Sequence, residues 1–230
     1  MQPTGLEHSS GYDFFDIDHT VVDGSTGLLF ALTGIRTRVL PARIFLSIPR
    51  MYWQYHFGAM DIHRARKAFR ELEGISKDEI EHLGKLNFEK QVRGKIFTEA
   101  EHVIRTLSSS GRRIAFITSS FYHVVQPLAD ELHVKDVLAN SLIYEHGITT
   151  GAVGEPFLFG KEKKNRALRF LQERGISPLH CSFYTDSAND ISLLEVVGKP
   201  VVVNPSRSLR QIALSRNWEI VEFNKRRDVQ

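Results

Sequence analysis

The sequence predicts an α/β fold, in which a mainly parallel sheet is covered by helices on both faces and is interrupted by a helical insert. After residue 107, short apolar runs alternate with helical patterns, which is typical of parallel strands joined by helices. Between residues 25 and 107 the patterns are helical, with no convincing strand. We therefore predict a discontinuous core, 11–24 with 108–224, and a helical insert, 25–107, of the size of a small module.

Composition and charge exclude several classes of protein. The 230 residues are 42% hydrophobic and 25% charged, with a net charge of +3, which is too small to indicate nucleic-acid binding without a localised patch. The single cysteine, Cys181, allows no internal disulfide and indicates a reducing compartment. Residues 1–10 lack the apolar stretch of a signal peptide, and charges and prolines interrupt the apolar region 39–57. We expect a cytoplasmic protein, and the sequence carries no signal for an oligomeric state.

The first core strand ends in two aspartates. Residues 12–24 read Y-D-F-F-D-I-D-H-T-V-V-D-G, a short buried strand that meets Asp16 and Asp18. Side chains two apart project from the same side of a strand, at the end where open α/β sheets bind ligands. Two converging carboxylates repel each other unless a cation or a shared proton separates them. The alternative is an exposed pair that caps a loop. His19 points the other way by strand alternation, and we expect it to be structural.

The insert carries two predicted capping boxes and a basic helix. Ser76 with Glu79, and Thr98 with Glu101, have the spacing at which a side chain and a backbone amide cap each other at a helix start. The basic helix begins at Asp61 and stops near Gly74, where glycine favours a helix end.

The rest of the core is predicted from periodicity and turn residues. The predicted strands are 113–118, 137–139, 181–185, 201–203 and 219–223, with a hairpin at 141–153; the predicted helices are 122–132, 162–174, 190–197 and 208–215; residues 225–230 are predicted to be a solvated tail.

A hydroxyl-rich turn follows the second core strand. Thr118 ends the strand, and Ser119 and Ser120 lead into a helix. A hydroxyl with free amides at a helix start can bind an anion such as phosphate. The alternative is an ordinary turn, since turns are rich in Ser and Thr.

One lysine is predicted on the buried face of a helix. Lys164 lies one turn before Leu168, which with Leu171 forms the apolar face. A core-facing lysine needs a partner, and a phosphate beside carboxylates would supply one. The alternatives are a solvated lysine in a basic run, or Lys161 or Lys163 in the same role.

A second carboxylate cluster ends the strand at 181–185. Asp186 and Asp190 flank Asn189 in the pattern D-x-x-N-D. Asp186 could complete a site for Mg²⁺ with Asp16, since magnesium prefers oxygen ligands and retains several waters.

Taken in order, D-x-D-x-T, a strand-end Thr, a helix Lys and D-x-x-N-D resemble the motifs of the haloacid dehalogenase-like (HAD) hydrolases over nearly the whole chain. The insert between the first and second motifs resembles the helical cap of the phosphoserine-phosphatase-like branch. The stretches 185–200 and 203–210 resemble the small bacterial hydrolases of subfamily IB. This resemblance implies a Rossmann-like three-layer α/β/α core with a parallel sheet and an all-helical cap.

The resemblance also implies a Mg²⁺-dependent phosphatase that works through an aspartyl-phosphate. Asp16 would attack phosphorus, and Asp18 would protonate the leaving alcohol and then activate water. Thr118 and Ser119 lie where the family binds substrate phosphate. The phosphate ligands would be Thr118, Ser119, Lys164 and Asn189; the metal ligands would be Asp16, the backbone carbonyl of Asp18, and Asp186; Asp190 would orient Lys164 or a metal-bound water.

The substrate is predicted only as a small phosphorylated metabolite. Phosphoserine phosphatases carry a Glu nine residues after the nucleophile, where it helps to bind the substrate ammonium, and this chain has Ser25 there. Residues 36–57 mix arginines with aromatic and aliphatic residues, as segments on anionic membrane surfaces do. A phospholipid head group, with peripheral membrane contact through 36–57, is therefore one alternative. A helix packed on the core is the other interpretation of that segment, and a phosphotransferase would use the same intermediate.

Overall fold

The computed structural model describes residues 11–46 and 69–227. The strands are β1 Tyr12–Phe15, β2 Arg113–Phe121, β3 Asp136–Asn140, β4 Leu142–Glu145, β5 Ile148–Val153, β6 Ser182–Thr185, β7 Lys199–Val203 and β8 Glu219–Val221. Six of them form one parallel sheet in the order β3-β2-β1-β6-β7-β8, and two form an antiparallel hairpin, β4-β5.

Helices cover both faces of this sheet. They are α1 Thr26–Arg36, α2 Lys77–Asn87, α3 Thr98–Ser109, α4 Tyr122–Glu131, α5 Lys161–Gln172, α6 Ile191–Leu194 and α7 Arg207–Ser215. Neighbouring residues on β1 point to opposite faces: Phe15 packs with the side chains of α1 to α4, and Phe14 packs with those of α5, α6 and α7. The predicted three-layer α/β/α core is confirmed, and the predicted hairpin turns at 145–148.

The insert packs directly on the core. Phe30 of α1 and Leu83 of α2 belong to the same apolar cluster as Phe15. Gly84 allows α2 to approach α4 closely, since an added Cβ would lie 2.1 Å from the carbonyl oxygen of His123. The division into 11–24 with 108–224, and 25–107, stays a prediction. Helix α3, which that division assigns to the insert, packs against β2.

One of the two predicted capping boxes forms. Ser76 and Glu79 cap α2 reciprocally, as predicted. The second prediction is wrong: Phe97 is the residue at the N-cap of α3, and Thr98 is already helical. The hydroxyl of Thr98 instead lies 3.2 Å from the Glu99 carboxylate and 3.3 Å from the carbonyl of Lys225, and the carboxylate of Glu101 binds Arg105 and Arg227. Both side chains therefore have other partners than the helix start that the spacing suggested.

Two predicted segments lie partly outside the described residues. For the basic helix, residues 61–68 are not described, and Arg70–Leu72 form a 3₁₀ turn that ends near Gly74, which has a φ of 87°. For the basic and aromatic segment 36–57, only residues 36–46 are described; Arg36 ends α1, and a 3₁₀ turn covers Ala42–Leu46. In the described part of the chain, no helix has the length and apolar character needed to cross a membrane.

The predicted solvated tail is wrong for residues 225–227. The backbone of Lys225 accepts from the amide of Thr98, and the amide of Arg227 donates to Ile96. The Arg227 guanidinium binds Glu101 and Glu131 on α3 and α4. The segment 96–98 is itself hydrogen-bonded to Val21, in the loop after β1. The end of the chain therefore supports the base of the helical insert.

Candidate active site

The predicted aspartates lie at the carboxyl edge of the sheet. Asp16 directly follows β1, which lies between β2 and β6, and Asp186 directly follows β6. Because the three strands are parallel, their carboxyl ends meet at one edge. Asp16 is buried and Asp18 is nearly so, at 1% and 9% exposure. The structure thus excludes an exposed aspartate pair.

The lysine that reaches this edge is Lys163, whereas the sequence pattern predicts Lys164. The Nζ of Lys163 lies 3.0 Å from Oδ1 of Asp16 and 2.9 Å from Oδ2 of Asp190, and its side chain is 1% exposed. Lys164 is only partly buried.

The error in this position has a local physical cause. The buried face of α5 consists of Lys163, Ala167, Phe170 and Leu171, whereas Leu168 is only partly buried. Lys163 and Ala167 are four residues apart and share a face. The sequence pattern favours Leu168 as the buried position because Ala167 is small and gives a weak apolar signal. Gly160, with a φ of 55°, precedes α5 and accepts from the amide of Lys163.

Asp190 holds this lysine in place. Its Oδ2 also accepts the hydroxyl of Thr185 at 2.9 Å, and the residue is 1% exposed. The predicted orienting contact therefore exists, with Lys163 in the place of Lys164. Thr185, at the end of β6, is absent from the predicted site, although it is the last residue before the D-x-x-N-D pattern.

The Asp16 carboxylate has one satisfied oxygen and one unsatisfied oxygen. Oδ1 accepts from the amide of Ile17 at 2.9 Å and from Lys163. Oδ2 is buried and has no partner among the described residues. Burial raises the pKa of Asp16 to about 7; the charges of Asp190 and Asp18 act in the same direction and Lys163 opposes them. An unsatisfied buried oxygen is costly, so this atom is poised to bind a ligand.

Asp186 is oriented by a residue of the first motif. Thr20 donates to Oδ1 of Asp186 at 3.2 Å and accepts from its amide at 3.0 Å. Burial, with Asp16 and Asp190 as neighbours, raises the pKa of Asp186. Thr20 is therefore the residue through which the D-x-D-x-T motif contacts the D-x-x-N-D motif. In the sequence, the position of Thr20 within D-x-D-x-T is the only feature that indicates this contact.

Asp18 faces the start of α1. Thr26 donates to its Oδ1 through both the amide, at 2.9 Å, and the hydroxyl, at 2.6 Å. His19, with a φ of 58°, donates its amide to the carbonyl of Gly24 and closes the loop between them. Oδ1 of Asp18 is thus occupied, whereas the resemblance assigns the backbone carbonyl of this residue to a metal.

The second strand does not end at Thr118, as predicted, but continues to Phe121, so the hydroxyl-rich segment 118–120 lies within β2, where the register with β3 shifts. Oγ1 of Thr118 accepts the amide of Ser120 at 3.1 Å, and the carbonyl of Ser119 accepts from Asn140 at 2.7 Å. The Ser119 hydroxyl is buried without a partner among the described residues. Asn189 lies in the turn after β6, where its backbone amide donates to the Ser187 hydroxyl. Asn140, which is absent from the predicted site, links the end of β2 to the segment before α5, because its side chain also accepts from the amide of Leu158.

A metal ion fits part of this arrangement. Among residues 11–46 and 69–227, no three His, Cys, Asp or Glu side chains converge on one metal position. Mg²⁺ does not need three, since it is commonly held by one or two carboxylates with waters and substrate phosphates. Asp16 and Asp186 supply two carboxylates, and the unpaired Oδ2 of Asp16 is an available oxygen. The donor set therefore suits a hard cation.

Comparisons with known proteins give a family model and curated relatives. The family model described as haloacid dehalogenase-like hydrolase matches residues 14–195. A phosphoserine phosphatase of Mycobacterium tuberculosis is 28% identical over 221 residues, which are 91% of this chain and 70% of the relative.

Solved structures show the same fold. A protein of unknown function from Bordetella pertussis Tohama I has a TM-score of 0.83 at 26% identity, covering 92% of this chain and 98% of its own. A phosphoserine phosphatase with an analogue of its phospho-aspartyl intermediate has a TM-score of 0.68 at 21% identity, covering 95% of each chain. The family match spans most of the chain and includes Asp16, Lys163 and Asp186. The chain belongs to the haloacid dehalogenase-like hydrolases.

Proposed function

We propose that this chain is a phosphomonoester hydrolase that acts through an aspartyl-phosphate formed on Asp16. The observation that carries the proposal is the state of the Asp16 carboxylate. One oxygen is fixed by Lys163 and a backbone amide, and the other is buried and unpaired among the described residues. A carboxylate held in this way can attack an electrophile with little reorganisation, which is the covalent strategy open to an aspartate.

Each neighbouring residue has a role in this reaction. Asp16 attacks phosphorus, Asp18 protonates the leaving oxygen, and Asp18 then removes a proton from the water that hydrolyses the aspartyl-phosphate. Lys163, in the place predicted for Lys164, neutralises the nucleophile and the phosphoryl oxygens. The other groups that would contact the phosphate are the hydroxyls of Thr118 and Ser119 and the amide of Asn189.

Mg²⁺ is the cofactor that this proposal requires. Asp16, the backbone carbonyl of Asp18, and Asp186 would hold it, and when bound it would offset charge on the substrate phosphate. Thr20 keeps Asp186 turned toward the site through two hydrogen bonds. Without the metal, Asp16, Asp186 and Asp190 share one buried ammonium, that of Lys163.

The proposed substrate is a small phosphorylated metabolite. The similarity to a phosphoserine phosphatase supports this class. Ser25 argues against recognition of an ammonium as in that relative, because its hydroxyl caps α1 and faces Asp18. A phospholipid head group stays an alternative that depends on 36–57, of which residues 47–57 lie outside the described part.

The test is Mg²⁺-dependent phosphate release by wild type and Asp16→Asn over a panel of phosphomonoesters. The panel contains phosphoserine, sugar phosphates, histidinol phosphate and a lysophosphatidate in detergent. We expect release to require both Mg²⁺ and Asp16, and the ranking of esters to define the substrate class. Full activity of Asp16→Asn would remove Asp16 from the mechanism.

A second measurement separates hydrolysis from phosphoryl transfer. Added alcohol acceptors should leave the yield of inorganic phosphate unchanged if water is the acceptor. If phosphate falls while a phosphorylated alcohol accumulates, the chain is a phosphotransferase that uses the same Asp16 intermediate. Wild type that releases no phosphate from any ester would refute the hydrolase proposal.

A further inference from the structure

Three hydroxyls surround the carboxylate of Asp18, and two of them belong to the start of the helical insert. Thr26 donates twice to Oδ1, while Ser25 and Ser120 lie 3.3 and 3.4 Å from Oδ2. The hydroxyls of Thr26 and Ser120 are 2.9 Å apart. Ser120 lies near the carboxyl end of β2, so this cluster joins three separate segments of the chain.

The donors in this cluster can be assigned by counting protons. Thr26 has one hydroxyl proton, and its 2.6 Å contact with Oδ1 is the shortest of the set, so the proton lies there. Ser120 must then donate to the oxygen of Thr26, at 2.9 Å, in preference to Asp18, at 3.4 Å. The result is a chain from Ser120 to Thr26 to Asp18, in which each hydrogen bond strengthens the next.

The two oxygens of Asp18 are consequently unequal. Oδ1 accepts two short hydrogen bonds from a residue that is 0% exposed. Both bonds persist whether Asp18 is charged or neutral, because the carbonyl oxygen of a carboxylic acid still accepts. Oδ2 has only the two long contacts, so it is the less fully hydrogen-bonded of the two oxygens.

We propose that Thr26 and Ser120 are positioning residues for Asp18: they fix Oδ1 and leave Oδ2 as the atom that gives its proton to the leaving oxygen and takes one from water. This inference rests on the proposed function. Because Thr26 begins α1, the placement of the insert and the orientation of the acid depend on the same contacts. The covalent chemistry at Asp16 does not involve Thr26.

The test compares esters that need an acid with an ester that does not. The leaving group of 4-nitrophenyl phosphate departs without protonation, whereas an alkyl alcohol needs a proton from Asp18. The variants are Thr26→Val, which removes the hydroxyl at nearly constant volume, Ser120→Ala, and Thr26→Ser, which restores a hydroxyl. Thr33→Val is the matched control, because Thr33 is a buried threonine of the same helix whose hydroxyl contacts the carbonyl of Leu29 and the side chain of Asn87, and not Asp18.

We expect Thr26→Val to lower kcat/KM for the best alkyl ester of the panel by about 10- to 100-fold, since positioning accounts for part of the gain from acid catalysis. For 4-nitrophenyl phosphate, kcat/KM should change less than about 3-fold. This constant includes only the steps up to the departure of the leaving group, which needs no acid for this ester. Its kcat should fall, with a burst of nitrophenol, since water attack still needs Asp18. Thr26→Ser should recover most of the loss, and Thr33→Val should show no difference between the esters.

An equal loss for both esters, or no loss, would overturn the proposal and leave Thr26 a structural residue. If Thr26→Val does not fold, Ser120→Ala decides, with an expected alkyl-to-aryl difference of about 3- to 10-fold; an unchanged ratio in that variant overturns the proposal. A wild type that hydrolyses none of the esters refutes the proposed function itself, which is a separate result.

Discussion

The first core strand and the residue after it carry two buried aspartates that differ in how completely they are paired. Asp13 is 2% exposed and accepts two hydrogen bonds from Arg112, at 2.5 and 2.9 Å, and a third from Ser182. Asp16 is 1% exposed, shares the ammonium of Lys163 with Asp190, and has one oxygen without a partner among the described residues.

The difference shows which buried charge holds the fold together and which is kept for chemistry. A buried charge is tolerated in a folded protein when its hydrogen-bonding capacity is filled. Asp13 meets that condition and joins β1 to β6. Asp16 does not meet it. Its unpaired oxygen lowers the stability of the folded state, and interactions elsewhere in the structure compensate, as is common at functional sites.

The largest expected effect is on catalysis at Asp16. Asp16→Asn should lower kcat by at least about 10⁴-fold, because an amide cannot form the acyl phosphate. Asp13→Asn, the matched change at the other end of the strand, should retain kcat within about 3-fold in the folded fraction, because it removes no group from the proposed reaction. Phosphate release per folded molecule measures both. Similar losses in the two variants would remove the proposed distinction.

Asp13→Asn, which should have little effect on kcat, should have a large effect on the stability of the fold. Asp13→Asn should lower the free energy of unfolding by about 3 kcal/mol, since it breaks a nearly buried pair and leaves Arg112 without its partner. Urea unfolding followed by circular dichroism gives this value. A loss below about 1 kcal/mol would show that Asp13 contributes no more than a surface ion pair.

Lys163 and Lys164 provide a second contrast, between adjacent lysines. Lys163→Met should lower kcat by about 10²- to 10³-fold, the effect of removing one group that stabilises transition-state charge. Lys164→Met should change kcat less than about 2-fold, because Lys164 is partly exposed and the ion pair with Asp16 is made by Lys163. Reversed effects would restore the prediction made from the sequence.

These adjacent lysines show how far the sequence could be interpreted. The core strands and the positions of Asp16 and Asp186 at strand ends follow from short apolar runs that end in polar residues, which is a local signal. The end of β2 does not, because the strand continues past Thr118 to Phe121. The phase of α5 does not, because it depends on a small residue, Ala167, that only the packed structure shows to be buried. The contacts of Arg227 with Glu101 and Glu131 join residues far apart in the sequence and leave no local pattern.

The pH dependence of the metal-free protein offers a smaller effect. The pKa of Asp16 is raised from 3.8 to about 7, so the folded state binds this proton more tightly than the unfolded chain. The free energy of unfolding should therefore fall as the pH rises between those values. In chelator, we expect wild type to lose about 3 kcal/mol more than Asp16→Asn between pH 5 and pH 8.

Denaturant titrations at both pH values measure this difference, and added Mg²⁺ should remove most of it by pairing the ionised carboxylate. Parallel pH profiles for wild type and Asp16→Asn would show that Asp16 ionises in the folded protein at no cost. In that case the unpaired Oδ2 would not be a source of strain.

The smallest expected effect concerns Arg227, which resembles Arg112 in being largely buried but has carboxylate partners, Glu101 and Glu131, that are more exposed than Asp13. Its guanidinium binds Glu101 and Glu131, and its side chain is 17% exposed. Arg227→Met keeps the aliphatic stem and should cost about 1 kcal/mol, above an exposed pair and below the buried pair of Asp13. For a protein of this size that corresponds to about 2–4 °C in Tm by calorimetry.

Arg105→Met is the control, because Arg105 also pairs with Glu101 but is 61% exposed. This variant should change Tm by less than about 1 °C. Equal shifts in the two variants would mean that burial does not determine the strength of these ion pairs.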